Sequence, residues 1–284
     1  MHPAADPLAT PKDAVGRGSP IPLEVVADDD AVIRRFADDM LAEYAAARAA
    51  GRAKVVFILP VGPVGQFDLV ADRCNARGIS LADLVVINMD EYLTPDGRDF
   101  IPTSDPLSFR RHMDDHFYAR LDPALAPPPD QRLFPDPRDL DGVPRAIAAH
   151  GGVDVCFGGI GITGHVAFND PPEPGEETTL AAFRDLPTRV VSLSRETRLI
   201  NSVTTSRGNV DRIPRLAVTV GMREILASRK VRIYMNRQWQ SAQVRKILHG
   251  PVTAAVPASL LQQHPDVRFV VAAHVTELPE PQLR

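Results

Sequence analysis

Cysteine is scarce. Cys74 and Cys156 are the only two in 284 residues, and neither has a neighbour at C-x-x-C spacing. That removes a disulfide framework and a thiolate metal site from consideration, and two lone thiols fit a reducing, cytoplasmic compartment. Long apolar runs are missing as well: no stretch of about 18 apolar residues occurs, so no membrane-spanning helix is expected. The start of the chain has no basic segment followed by an apolar core and does not read as a signal peptide. Neither sign of charge dominates, with 32 Lys and Arg against 36 Asp and Glu, and a net charge of −4 calls for no polyanionic partner such as nucleic acid. H-x-x-H and H-E-x-x-H patterns are absent, so neither a metal nor another cofactor is expected.

What is present is a chain 44% hydrophobic, enough for one sizeable core. Residues 1–22, rich in Pro, Ala and Asp, read as a poorly ordered tail, and 23–284 as a single α/β domain. Ile33, Phe36, Met40 and Tyr44 recur at helical spacing behind Asp28, Asp29 and Asp30, which suit the positive end of a helix. Short apolar runs at 55–59, 84–88, 153–157, 189–193, 216–220, 231–235 and 267–272 read as buried strands. Helical patterns fall between most of them, at 64–77, 107–121 and 238–248 among others. The alternation predicts a doubly wound, mostly parallel sheet with helices on both faces, Rossmann-like in form.

Such a sheet carries its chemistry beyond the carboxyl ends of its strands, and the suggestive residues fall there. Gly62 and Gly65 follow the first apolar run; they form either a plain turn or a cradle for an anion at a helix start, with Pro63 removing one N–H donor. Asp90-Glu91-Tyr92 follows the second, either as a solvated acidic loop or as a carboxylate base. The segment from Gly158 to Asp170 packs four glycines into seven residues and then places His165 before an apolar triplet. Glycines at that density do not build a core, and a histidine there suits acid/base work near neutral pH better than a structural role.

The segments Asn88-Met89-Asp90-Glu91-Tyr92 and Gly161-Ile162-Thr163-Gly164-His165-Val166-Ala167-Phe168-Asn169-Asp170-Pro171 resemble the two signature stretches of glucosamine-6-phosphate deaminases. The similarity runs from about Val55 to Ala272. Related 6-phosphogluconolactonases share a Gly-His segment but continue with Ala-Ser-Leu-Phe, whereas this chain continues Ala-Phe-Asn. The resemblance implies that Asp90 shuttles a proton between C2 and C1, that His165 opens the sugar ring, and that Asp170 orients the histidine. Gly62, Gly65, Glu91, Gly161, Thr163 and Gly164 would line the substrate, a small sugar carrying a phosphate; members of the family occur in several oligomeric states, and a homo-oligomer is the expectation here. Departures from the family pattern fall in the histidine segment, where Asp170 replaces a usual Glu, in the Gly-rich turn and in the anion grip. Val61, Pro63 and Val64 alter the Gly-rich turn, Thr163 stands where an acid is usual, and Val203 and Gln240 stand where Arg and Lys are usual. Arg198 is the expected replacement cation, with Arg195, Arg207 and Arg237 in neighbouring segments; Trp239 is a candidate for stacking on a sugar face. The leading expectation is deaminating isomerisation of an amino-sugar phosphate. The alternatives are an isomerase or lactonase for another sugar phosphate or sugar acid, and a catalytically silent sugar-binding protein. Ammonia release separates the first from the second, and a ligand-dependent thermal shift without turnover marks the third.

Overall fold

A computed structural model describes residues 6–280. Seven parallel strands form the central sheet. In chain order they are β1 (Leu23–Val26), β2 (Val55–Leu59), β3 (Leu84–Asn88), β5 (Arg132–Leu133), β6 (Val155–Gly158), β9 (Lys230–Met235) and β10 (Val267–Ala272). Their spatial order is β1-β10-β9-β6-β2-β3-β5, with every pair parallel. The expected runs at 55–59, 84–88 and 267–272 coincide with strands residue for residue, because strands covered on both faces read as unbroken apolar stretches.

Helices cover the sheet. They are α1 (Asp29–Ala49), α2 (Gln66–Arg77), α3 (Phe109–Met113, continued by one π-helical turn to Tyr118), α4 (Gly142–Ala149), α5 (Leu180–Arg184), α6 (Arg195–Thr205), α7 (Met222–Leu226) and α8 (Ser241–His249). Asp28 caps α1, its side chain accepting from Ala31 N at 2.7 Å, and Asp29 and Asp30 lie in the first turn, where carboxylates meet unpaired N–H groups and the positive end of the helix. The inner face of α1 sends Phe36 between Phe67, Phe157 and Tyr234, with ring centroids 4.7–5.7 Å apart. These rings tie α1 and α2 to the middle of the sheet.

Two strand candidates behave otherwise. β7 (Arg189–Ser192) and β8 (Leu216–Thr219) leave the main sheet and join β4 (Asp90–Tyr92) in a separate antiparallel ribbon, ordered β4-β8-β7. Asp90-Glu91-Tyr92 is therefore a buried strand and not a solvated loop. The ribbon has its own small core of Tyr92, Ile101, Phe168, Leu193, Ile213 and Ala217.

In the central sheet the chain steps one way from β2 to β3 and β5, and the other way from β6 to β9 and β10. The switch of direction lies between β2 and β6, and in open parallel sheets the crevice for a ligand opens there, beyond the carboxyl ends.

The N-terminal segment departs from its expectation. Residues 1–5 lie outside the described residues, but 6–22 are anchored rather than loose. Arg245, whose side chain is fully buried on α8, donates to the carbonyls of Thr10 (2.9 Å), Ser241 (3.1 Å), Thr276 (2.7 Å) and Glu277 (2.8 Å). Lys12 pairs with Glu277, Gly16 N donates to His249 at 3.0 Å, and Ile21 is completely buried. One guanidinium thus fastens both ends of the chain to α8, and its removal strands several carbonyls. Arg245→Met should cost about 3 kcal/mol in denaturant titrations and open residues 6–20 to limited proteolysis. Wild-type stability in the variant would show that the strap is held elsewhere.

Candidate active site

The crevice at the switch point is a cleft of about 250 Å³. The turn after β2 (Pro60 to Val64) forms one wall. Met89 and Asp90 after β3, the Gly159–Phe168 loop after β6, and Asn236 and Arg237 after β9 supply the rest, with Asn201 of α6 and Phe109 of α3 at the rim. Of the candidate site residues singled out from sequence, Gly62, Asp90, Gly161, His165 and Arg237 line this cleft.

Asp90 is placed by its strand. It pairs with Thr219 of β8, and Glu91 pairs with Val218. Successive side chains on a strand point to opposite faces, so the two acids part company. Asp90 faces the cleft, where no hydrogen bond from the described residues reaches its carboxylate. Burial, and then the nearby charge of Glu91, push its pKa up to about 8. Glu91 is fully buried on the other side. Its carboxylate accepts from Phe109 N (3.0 Å), Arg110 N (2.8 Å) and Ser108 Oγ (2.9 Å), and from Arg110 Nε at 3.3 Å. It holds the first turn of α3 and does not line the cleft, where a substrate-lining role was expected.

His165 sits at the end of the glycine-rich loop. Its Nδ1 lies 2.8 Å from Asp170 Oδ1 and 2.8 Å from Thr163 Oγ1. Asp170 is saturated with donors: Thr163 Oγ1 (2.8 Å), Thr197 Oγ1 (2.7 Å) and Ser194 N (3.2 Å), besides the imidazole. Burial alone would raise this carboxyl, but the bonds from His165, Thr197 and Thr163 outweigh it and hold the carboxyl well below the usual carboxylate range. A bond from Nδ1–H to a fixed carboxylate selects the tautomer and leaves Nε2 for chemistry. That nitrogen lies against Gly161, where an added Cβ would sit 1.9 Å from Nε2. Glycine is required there by close approach. Thr163 therefore serves the histidine and Asp170 and does not line the cleft.

Three further expectations are corrected. Arg198 turns away from the cleft, donating to Val210 O at 3.2 Å. The residue that α6 sends to the cleft is Asn201, steadied by a 2.9 Å bond from its Nδ2 to Tyr92 Oη. Trp239 lines a separate depression with Lys12, His274 and Glu277; the single turn Gln238–Gln240 directs Gln240 inward instead, its amide donating to Ile160 O at 2.7 Å. Gly65 and Gly164 also stand back from the cleft. Gly65 caps α2 with φ 105°, and Gly164 accepts from Ala258 N at 2.8 Å. Sequence reasoning passed over Thr197. The Ser194-x-x-Thr197 cap, with Ser194 Oγ accepting from Thr197 N at 3.1 Å, was a readable signal for it. Among the described residues no cluster of three or more His, Cys, Asp or Glu side chains is placed to hold a metal, and no helix is long and apolar enough to cross a membrane.

A buried carboxyl and a carboxylate-oriented histidine thus meet on one cleft at the switch point of a Rossmann-like sheet, an arrangement chemically suited to proton transfer. No protein-family model matches the chain. Individual relatives do. A glucosamine-6-phosphate deaminase of Bacillus velezensis is 31% identical over 217 residues, covering 74% of this chain and 80% of that protein. One of Porphyromonas gingivalis is 32% identical over 225 residues, covering 76% and 79%. The chain belongs to the glucosamine-6-phosphate deaminase family. Solved structures agree on the fold: a monomeric glucosamine-6-phosphate deaminase superposes with a TM-score of 0.70 at 23% identity, covering 90% of this chain and 98% of that one. A 6-phosphogluconolactonase of Thermotoga maritima gives 0.60 at 14%, covering 89% and 99%.

Two outcomes follow from this geometry. The Asp90 carboxyl keeps its proton in the folded protein up to about 8 but loses it near ~3.9 when unfolded. Its stabilising contribution is therefore complete below the unfolded value and is lost as pH climbs to the folded one. Asp90→Asn should outlast wild type in thermal melts by a margin that widens between about pH 4 and 8, reaching ~5 kcal/mol; a constant margin would mean that Asp90 ionises normally. Gly161→Ala should swing the imidazole off Asp170 and lower turnover ~10²-fold or more with an unchanged melting temperature. Full activity in that variant would remove the packing constraint.

Proposed function

We propose that this protein is a deaminating aldose–ketose isomerase that converts glucosamine 6-phosphate to fructose 6-phosphate and ammonia. The observation that carries the reading is the pairing, on one cleft, of an unbonded buried carboxylate with a histidine locked by Asp170. His165 Nε2 moves the proton that opens the ring, giving the C1 aldehyde. Asp90 then takes the proton from C2, leaving an enolamine, and returns it to C1. The imine now at C2 adds water, the C–N bond breaks, ammonia leaves, and C2 becomes the ketone. No redox partner is needed.

The raised Asp90 value favours an amino sugar over a lactone. A carboxyl that keeps its proton to about 8 is a poor base in the empty cleft, but an ammonium group arriving beside it stabilises the ionised form. A neutral or anionic lactone brings no such charge. The substrate would thus switch on its own base. The reading also places the enzyme in the cytoplasm, with support from Cys74 and Cys156, both buried as free thiols.

The test is direct. Purified protein given glucosamine 6-phosphate should release ammonia and a ketose phosphate in equal amounts, and Asp90→Asn should slow this by ~10²–10⁴-fold. Hydrolysis of 6-phosphogluconolactone without ammonia from the amino sugar would overturn the assignment.

A further inference from the structure

The cleft needs a grip for the end of the substrate remote from the reacting carbons, and the side chains first expected there are occupied. Arg198 donates to Val210 O and lines no part of the cleft, and Val203 is two-thirds exposed and lines none of it either. Gln240 bridges two loops: its amide nitrogen donates to Ile160 O at 2.7 Å and its Oε1 accepts from Arg237 N at 2.8 Å. Among the described residues, one Lys or Arg lines the cleft, and it is Arg237. Its backbone is fixed on both sides of the turn, since its carbonyl also accepts from Gln240 N at 2.9 Å. Its side chain is exposed and makes no ion pair among the described residues, so the guanidinium keeps its donors for a ligand.

Position supports the assignment. Arg237 follows β9 and Asp90 follows β3, and the strands between run β9-β6-β2-β3. Three inter-strand steps of ~4.8 Å separate their axes by ~14 Å. Two side chains reaching inward from the ends leave a gap suited to a hexose, whose extended chain spans ~7 Å from C2 to a 6-phosphorus at bond lengths near ~1.5 Å. The wall between is apolar, formed by Val61, Pro63 and Val64.

We propose that Arg237 is the specificity-determining residue that holds the anionic end of the substrate, a phosphomonoester gripped by the planar guanidinium fork, with Gln240 as the residue that positions it. The inference rests on the reading of the cleft as a sugar-phosphate site.

Arg237→Ala and Arg237→Lys are compared with wild type on glucosamine 6-phosphate and on glucosamine, with inorganic phosphate as competing ligand. Arg237→Ala should raise KM for the phosphorylated sugar ~10-fold or more with little change in kcat, leave KM for glucosamine unchanged, and raise the inhibition constant of phosphate by the same factor. Arg237→Lys should recover part of each effect. Unchanged KM and phosphate inhibition in Arg237→Ala, or equal KM for both sugars in wild type, would overturn the proposal. Calorimetric binding of inorganic phosphate and glucitol 6-phosphate separates this from the identity of the reaction. If wild type fails to deaminate, binding weakened ~10-fold by Arg237→Ala still upholds the anion site. Equal binding by both proteins, or none by wild type, sinks it.

Discussion

The register of β4 against β8 governs the site. Asp90 opposite Thr219, Glu91 opposite Val218 and Tyr92 opposite Ala217 fix which acid meets the cleft and which is buried behind it. A slip of one residue would exchange the faces, placing Glu91 in the cleft and leaving the first turn of α3 without its acceptor. The same strand reaches the histidine loop. Thr219 Oγ1 accepts from Phe168 N at 3.0 Å, Asn169 Nδ2 donates to Val220 O at 3.0 Å, and Val220 N donates to Met89 O at 2.8 Å. Asp90 and His165 lie more than 70 residues apart in sequence, yet both are referred to the end of one short strand, and a small antiparallel ribbon outside the main sheet sets their relation.

The electrostatics follow from how donors are distributed. Asp90 and Asp170 are both buried, and burial alone raises both. Asp170 collects an imidazole, two hydroxyls and a backbone N–H and stays ionised; Asp90 collects none and holds its proton to about 8. Two carboxyls pushed apart in this manner can take different roles, one as a fixed anchor and one as a proton carrier. Thr163, at the place where the family pattern has an acid, shares in the anchoring. Its hydroxyl lies within bonding distance of both His165 and Asp170, so orientation is kept without a second negative charge beside the histidine.

Much of this was legible in the sequence, for reasons that also mark the limits. The buried strands of the main sheet announce themselves as apolar runs, and Asp90, Gly161 and His165 stood out because acid, glycine and histidine clustered at strand ends. β4 was illegible because its residues, Asp-Glu-Tyr, carry no apolar pattern; backbone pairing with β8 and tertiary burial make it a strand. Side-chain direction was illegible too. Arg198 and Trp239 lie in the right segments, but a helix face and a single tight turn point them elsewhere. The N-terminal segment looked like a tail because what orders it, Arg245, stands 235 residues away from the Thr10 carbonyl it binds.

What remains is how the cleft keeps its shape without spending charge. Three glutamine amides tie down its loops: Gln66 Nε2 to Val61 O at 2.8 Å, Gln240 Nε2 to Ile160 O at 2.7 Å, and Gln243 Nε2 to Ile162 O at 2.6 Å. Each is a neutral donor satisfying a carbonyl in a segment that could not otherwise pair it. A lysine or arginine at any of these places would bind the carbonyl as well, but would also lower the Asp90 carboxyl by attraction and compete with Arg237 for an anion. Neutral ties leave one acidic group at the β3 end and one cation at the β9 end. Under the proposed function, that separation is what orients an aminated, phosphorylated sugar, since its ammonium and its phosphate are drawn to opposite ends of the same cleft.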